Sequence, residues 1–308
     1  MNYMRSVNKP VSFGRNETFY LKYNWIYKSL SALEENKEFF AVPNSYLDLG
    51  VGKNMLVSIK YWMGAYQILD KSKTEYKDDL AKLIFDPKTG YDPFLEREET
   101  LWLLHWRLCF HPEQASLYYW FFNKFKNTRF TKDEIKASLY KWLEYTTTKQ
   151  ISPNTIERDI NLLLKTYASV DNSSESLEES LENPFPNLDI LHKNSDGTFS
   201  AEYKHRDIIE CNLFTLLVAN LIDHIEKVDL LTSKDLQIIP LREIIDSTEN
   251  PSIKNILRLT DNCLMNLVEQ MTINFSEHFD LSETAGQKNL IIKNKKINYQ
   301  QLLEEIYK

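Results

Sequence analysis

The sequence predicts a mainly α-helical protein with small β-hairpins, built from helix-turn-helix or winged-helix-like modules. Three observations lead there. Only seven of the 308 residues are glycine, too few for the tight turns of barrels, sandwiches or Rossmann units. Apolar residues recur at spacings of three and four through much of the chain, the period of one buried helix face. Finally, Leu47-Asp48-Leu49-Gly50-Val51-Gly52-Lys53-Asn54-Met55 and the run to Leu69 have the pattern of a turn followed by the second helix of a helix-turn-helix unit.

Taken in order, residues 17–35 read as a first helix, capped by Asn16 or Thr18, with Phe19, Tyr23, Ile26, Leu30 and Leu33 as its stripe. A short helix over Asn44–Leu49 and a long one from Gly52 complete the unit, the latter burying Met55, Ile59, Trp62, Tyr66 and Leu69. Tyr76–Phe85 reads as a wing or a further short helix, closed by Asp86-Pro87 and Lys88-Thr89-Gly90. Residues 98–125 are dense in aromatics, among them Trp102, Trp106, Phe110, Trp120, Phe121 and Phe122. Such rings can stack on single-stranded bases. The interleaved Leu101, Leu104, Leu108 and Leu117 favour a packed core instead.

Residues 131–168 read as a second helix-turn-helix. Thr131 and Glu134 make a capping box. Ser152-Pro153-Asn154-Thr155 opens the next helix, with Ile156, Ile160, Leu163 and Leu164 facing inward. A serine-rich acidic linker at 171–189 follows. Asn194-Ser195-Asp196-Gly197 then marks a hairpin between Ile190–His192 and Thr198–Tyr203. Beyond it lie helices at 207–226 and 252–273, a shorter helical pair within Leu231–Ile245, a β-hairpin edge at Leu290–Ile297 exposing Lys288, Lys293, Lys295 and Lys296, and a last helix over Tyr299–Tyr307. The expected domains are 1–97, 98–170 and 190–308, with 171–189 as linker.

A hydrophobic content of 43% supports packed domains rather than disorder. No apolar run approaches the roughly 20 residues that span a bilayer. The polar start and three widely spaced cysteines, Cys109, Cys211 and Cys263, suggest a cytoplasmic protein with reduced thiols. Net charge is −7, which argues against indiscriminate nucleic-acid binding, but the distribution is uneven. Residues 1–90 hold 13 Lys and Arg against 10 Asp and Glu, and residues 121–165 hold nine against five. Screening confines fields to roughly 10 Å, so local basic faces count for more than the total.

DNA-reading helices present amide, hydroxyl and cationic side chains near their start. On that basis the candidate DNA-binding residues are Arg15, Lys22, Lys53, Asn54, Ser58 and Lys60 in the first module, and Asn154, Thr155 and Arg158 in the second. Gly50, Gly52 and Lys53 do not make a phosphate loop, because Leu47 and Asn54 stand where a glycine and a Ser or Thr are needed. Asp189 with Glu202-Tyr203-Lys204 has the spacing of a metal-dependent nuclease, but the pattern is short and common by chance, and an ordinary hairpin with solvated charges is the simpler account. His105 and His111 flank Cys109 at a spacing unsuited to zinc, so a core or capping role is expected. No metal site is assigned, and no cofactor is expected except magnesium if the chain nicks DNA.

Several motifs carry a family resemblance. They are Phe13-Gly14-Arg15-Asn16-Glu17-Thr18-Phe19, Leu49–Met55 running to Tyr61-Trp62, Thr100–Trp106, Ser152–Ile160, and Thr284-Ala285-Gly286 with Leu302–Tyr307. Together they resemble a bacterial family of domains of unknown function, SspB-like, found in DNA phosphorothioation and phage-defence clusters. The family pattern often has His where this chain has Asn16, and the resemblance transfers no catalytic residue. It implies a DNA-binding component of such a system, with or without DNA-nicking activity. The alternative is a non-catalytic adaptor that docks a sulfur-transfer or ATPase partner from the same operon.

Overall fold

A computed structural model describes residues 9–170, 182–225, 232–233, 236–247, 251–294 and 297–308. The chain divides into two compact units, Met1–Glu202 and Tyr203–Lys308.

In the first unit, α1 (Tyr23–Glu35) buries Trp25, Ile26, Leu30 and Leu33. It starts well after residue 17 because Glu17 and Thr18 adopt left-handed conformations, with φ of 47° and 67°. Asn16 accepts a hydrogen bond from the Thr18 N–H at 3.2 Å, so it closes a turn rather than capping the helix. The expected helix over Asn44–Leu49 is absent. Phe39–Ala41 forms one 3-10 turn, and left-handed Asn44 (φ 65°) and Gly50 (φ 66°) keep the chain in turns up to α2 (Lys53–Ala65). From α2, the Trp62 indole N–H donates to the Phe19 carbonyl at 2.8 Å. Tyr76–Phe85 resolves into α3 (Asp79–Phe85), capped by Asp78, which accepts from the Ala81 N–H at 2.8 Å. Gly90 is required in the following turn: a Cβ there would lie 2.5 Å from the Ile84 carbonyl oxygen.

The aromatic belt is core. In α4 (Glu98–Leu108) and α5 (Ser116–Asn123), Trp102, Trp106, Phe121 and Phe122 are fully buried. Each large ring removes about 150–250 Å² from water, which makes this the main apolar cluster of the unit. His105 belongs to it, its Nδ1 lying 2.9 Å from the Tyr167 hydroxyl. Residues 183–188, within the expected linker, pack rather than float. Phe185–Leu188 is a 3-10 turn, and Phe185 stacks on Tyr66 with ring centres 5.5 Å apart.

The second helix pair forms as read. In α6 (Lys132–Thr146) both halves of the Thr131–Glu134 capping box are made. In α7 (Pro153–Tyr167), Pro153 occupies the first turn and Ser152 caps it. Four short strands lie beside this pair: β1 (Arg129–Phe130), β2 (Ala168–Val170), β3 (Leu191–Lys193) and β4 (Phe199–Ser200). Their order is β1-β4-β3-β2, with β4 antiparallel to both β1 and β3 and β2 parallel to β3. The Asn194–Gly197 turn joins β3 and β4, with Gly197 at φ 81°.

In the second unit, α8 (Cys211–Ile225) precedes a sheet of β5 (Thr232–Ser233), β6 (Leu236–Pro240), β7 (Phe279–Thr284) and β8 (Gln287–Ile292), in the order β5-β6-β8-β7. The helical pair expected within Leu231–Ile245 is corrected to two strands, β5 and β6, and one short helix, α9 (Leu241–Ile245), because β5 pairs with β6, and Ile238 and Ile239 pair with Ile291 and Leu290 of β8. The expected edge at Leu290–Ile297 is likewise an interior strand, flanked by β6 and β7. Ala285 and Gly286, both at positive φ, turn β7 into β8. Lys288 and Lys293 are exposed, whereas Lys295 and Lys296 lie outside the described residues. Helix 252–273 is broken into α10 (Ile253–Leu257) and α11 (Asp261–Asn274) by left-handed Arg258 (φ 49°) and the Thr260 cap. The chain closes with α12 (Tyr299–Ile306).

Candidate nucleic-acid interface

The start of α7 is fixed by local chemistry. The Ser152 hydroxyl accepts the Thr155 N–H at 3.1 Å, and the helix dipole makes this end favourable to anions. Two sides of the helix are then committed. Ile156, Ile160, Leu163 and Leu164 are buried. On the flank toward α6, Lys136 pairs with Glu157 at 3.4 Å and Lys132 donates to Asn161 at 2.9 Å. Asn154 and Arg158 remain exposed, with Thr155 half-buried beside them.

Asp159 anchors the N-terminal segment to this helix. The Gly14 N–H donates to its carboxylate at 2.7 Å, and the Asn16 side-chain amide approaches the other oxygen at 3.4 Å. Gly14 is left-handed (φ 67°), and a Cβ there would come within 2.8 Å of the Thr155 methyl and 4.0 Å of the Arg158 guanidinium. Only glycine fits that approach, and the fit sets exposed Arg15 beside α7. Tyr61 of α2 reaches the same place, its hydroxyl donating to the Gln114 carbonyl at 3.2 Å. Burial raises the Tyr61 hydroxyl above its ordinary value, the Asp159 charge adds to this, and Arg15 opposes it. Burial also raises the Asp159 carboxyl, against the bonds from Gly14 and Asn16 and the charge of Arg158. The result is a buried carboxylate held by N–H donors, with two guanidinium groups outside it. Among the described residues, neither Arg15 nor Arg158 forms an ion pair. That arrangement can bind an anion.

The fold therefore brings together Arg15, Asn154, Thr155 and Arg158. Lys60 lies exposed on α2 next to Tyr61 in sequence, and Lys53 and Asn54 are exposed roughly 12 Å back along the helix from Tyr61. Two of the expected residues do not join this group. Ser58 is fully buried and donates to the Phe19 carbonyl at 3.2 Å, so it presents nothing to a ligand. Lys22 is engaged in an ion pair with Glu182.

Residues 13–307 match the family described as Protein of unknown function (DUF4007). The chain belongs to the DUF4007 family. Two solved structures resemble this DUF4007 protein. The magnesium ion-bound SspB crystal structure superposes with a TM-score of 0.79 at 20% identity, covering 96% of this chain and 88% of that one. A second SspB crystal structure gives 0.77 at 20% identity, covering 98% and 88%. At this identity the likeness shows the fold. No curated protein matches the chain.

The described residues of this DUF4007 protein do not group into a magnesium centre like the one in that neighbour's name. Magnesium prefers carboxylate and water oxygens in near-octahedral array. Among the described residues, no three Asp, Glu, His or Cys side chains are grouped to hold a metal. Asp159 faces amide donors instead of free space. Asp189 follows a 3-10 turn at φ 47°, outside β3, and Glu202 lies beyond β4. Lys204 is fixed through its backbone, its N–H donating to Arg258 and its carbonyl accepting from Thr260.

Sequence reasoning missed Asp159, Tyr61 and Gln114. One signal was available for Asp159: it interrupts the inward stripe between Ile156 and Ile160, where a charge must find partners. Gln114 contributes through its backbone, which no side-chain pattern reveals.

Proposed function

We propose that this DUF4007 protein is a DNA-binding component of a bacterial DNA phosphorothioation or phage-defence system. The convergence of unpaired Arg15 and Arg158 over the start of α7, in a chain of net charge −7, carries the reading. Element order supports it. From Ser116 to Ser200 the chain runs α5-β1-α6-α7-β2-β3-β4, with a 3-10 turn before β3 and β4 bonded to both β1 and β3. With β2 as an added strand, this contains the helix-strand-helix-helix-strand-strand order of a winged helix, and in helix-turn-helix proteins the second helix of the pair enters the major groove. In this reading Asn154 and Thr155 face base edges, Arg15 and Arg158 hold phosphates, and Lys53, Asn54 and Lys60 extend the contact. The SspB-like fold supports placing the protein in a phosphorothioation operon, with DNA as ligand and the operon's other proteins as partners.

Gel shifts with duplex and single-stranded DNA test this. Duplex binding should be lost in Arg158→Glu while the protein stays folded; equal binding by wild type and variant removes α7 from the interface. DNA nicking is a separate question for a supercoiled-plasmid assay.

A docking role toward a sulfur-transfer or ATPase partner is the second reading. Its support is Ile273 on α11, 73% exposed in the second unit, an apolar residue of the kind that anchors interfaces. Copurification of such a partner without DNA affinity would favour it.

A further inference from the structure

A groove runs along α1 in the first unit. One wall is the helix face of Tyr27, Lys28, Ser31, Ala32, Glu35 and Asn36, spaced as one side of a helix. The other wall is the run of turns from Phe39 to Gly50. The cavity between them measures about 520 Å³.

Apolar side chains gather here without cover. Val42 is 39% exposed and Leu47 66%, and both line the groove beside buried Phe39. Phe94, 43% exposed, adjoins it, because its ring packs on Tyr27 with centroids 4.4 Å apart. Single exposed apolar residues are ordinary, but three around one groove mark an interaction surface. Leu47 is held in place by its backbone. Its N–H donates to the Asn44 carbonyl at 2.9 Å, and its carbonyl accepts from Gly50 at 3.0 Å, between left-handed Asn44 and Gly50. Its exposure is therefore set by fixed turns and not by a loose end of chain.

Charge is graded along the groove. Glu35 stands at the C-terminal end of α1, next to Glu34, and no basic residue occupies the last turn of that helix. The carbonyl end of a helix is electronegative, so an acid there is unfavourable unless a cation joins it. Glu34 has such a cation, Lys88 at 3.1 Å. Lys37, just past the helix, is taken by Glu75 at 3.7 Å. Among the described residues, neither Glu35 nor Asp48 on the opposite wall forms an ion pair. The cation lining the groove is Lys28, about two turns from Glu35 and roughly 10 Å away along the helix. Its ammonium donates to the Leu49 carbonyl at 3.4 Å. Lys28 thus serves the Asp48–Leu49 end and leaves Glu35 uncompensated.

We propose that this groove docks a short segment of a partner protein that carries a bulky apolar side chain beside a Lys or Arg. The apolar side chain covers Val42 and Leu47, and the cation meets Glu35 and the carbonyl end of α1. Apolar burial supplies the affinity. Charge sets the direction in which the segment lies, because Lys28 at the far end repels a cation. A second copy of this chain, with a net charge of −7, is the poorer match for an uncompensated acid. The groove is separate from the α7 face and from Ile273 of the second unit, so the proposal depends on neither reading above.

Phage displaying random peptides are selected on the immobilised full chain, as wild type, Leu47→Asp and Glu35→Lys. Both side chains are exposed, so thermal melts of the variants should match wild type. Wild type should enrich sequences with a large apolar residue next to Lys or Arg. Leu47→Asp should enrich none of these, and Glu35→Lys, which leaves the apolar lining intact, should shift the choice toward acidic neighbours. A peptide selected on wild type, labelled with fluorescein, should bind Leu47→Asp about tenfold or more weakly in anisotropy, the loss of one buried Leu contact. No enrichment on wild type, enrichment of acidic or wholly polar sequences, or equal affinity for wild type and both folded variants overturns the proposal. So does a concentration-dependent dimer in sedimentation that Leu47→Asp abolishes, which would assign the groove to a second copy.

Discussion

Replacing Asp159 with Ala tests the anchor that sets Arg15 beside α7. The carboxylate accepts the Gly14 N–H at 2.7 Å and the Asn16 amide at 3.4 Å. A well-made hydrogen bond to a charged group contributes about 1.5–3 kcal/mol, and the longer contact much less. Burial of the charge outweighs these bonds, since the Asp159 carboxyl is raised above its usual range. The cost of the substitution is that of leaving the part-buried Gly14 N–H and the Asn16 amide without their acceptor. The expected loss is therefore about 1–2 kcal/mol, or roughly 2–8 °C of melting temperature for a unit of this size. Tryptophan-fluorescence melts measure it, with duplex affinity as the second readout, because Arg15 loses its support. The pH dependence gives a sharper check. With the folded pKa raised, the folded state holds the proton more tightly than the unfolded one. Its contribution is fully present below the unfolded value near 3.8 and lost as pH rises through the folded value. Asp159→Asn removes this titration, so wild type should gain on that variant as pH falls from neutral toward about 4. Melting of Asp159→Ala within about 1 °C of wild type, or a gap that widens as pH rises, would refute the reasoning.

Three further outcomes follow from the same structure. Trp106→Ala should cost about 3–5 kcal/mol in a urea or thermal melt, because the ring is fully buried in the aromatic cluster. Lys53→Glu with Lys60→Glu should leave melting unchanged, since both side chains are exposed, but weaken duplex binding in gel shifts and flatten its salt dependence. Glu202→Gln should leave any supercoiled-plasmid nicking unchanged, because among the described residues no metal-holding group exists for it to join; loss of nicking in that variant would show the acid to be used after all.

Helices with explicit end signals were legible. The Thr131–Glu134 box and the Ser152-Pro153 start announced α6 and α7, and the interleaved leucines correctly placed the aromatic belt in the core. Boundaries set by backbone conformation were not. Left-handed Thr18, Asn44 and Arg258 end or delay helices whose apolar stripe continues through them. Strand β6 was misread because a short apolar run such as Leu236–Pro240 fits either period, and its partner β8 lies about 50 residues away. At the site, exposed cations near helix starts were visible, but their grouping was not. Ser58 is off the apolar stripe and still buried, because the 19–22 segment covers it, and Lys22 is paired with a residue distant in sequence. Arg15 comes beside α7 only because its neighbour Gly14 docks on Asp159, 145 positions away.

The most direct test of the proposed DNA interface is the salt dependence of duplex affinity for wild type and Arg15→Gln/Arg158→Gln, by fluorescence anisotropy. Both guanidinium groups are exposed, so the variant should fold as wild type does. The account predicts weaker binding and a log–log slope smaller by about 1.8. Equal affinity and equal slope in a folded variant would contradict it.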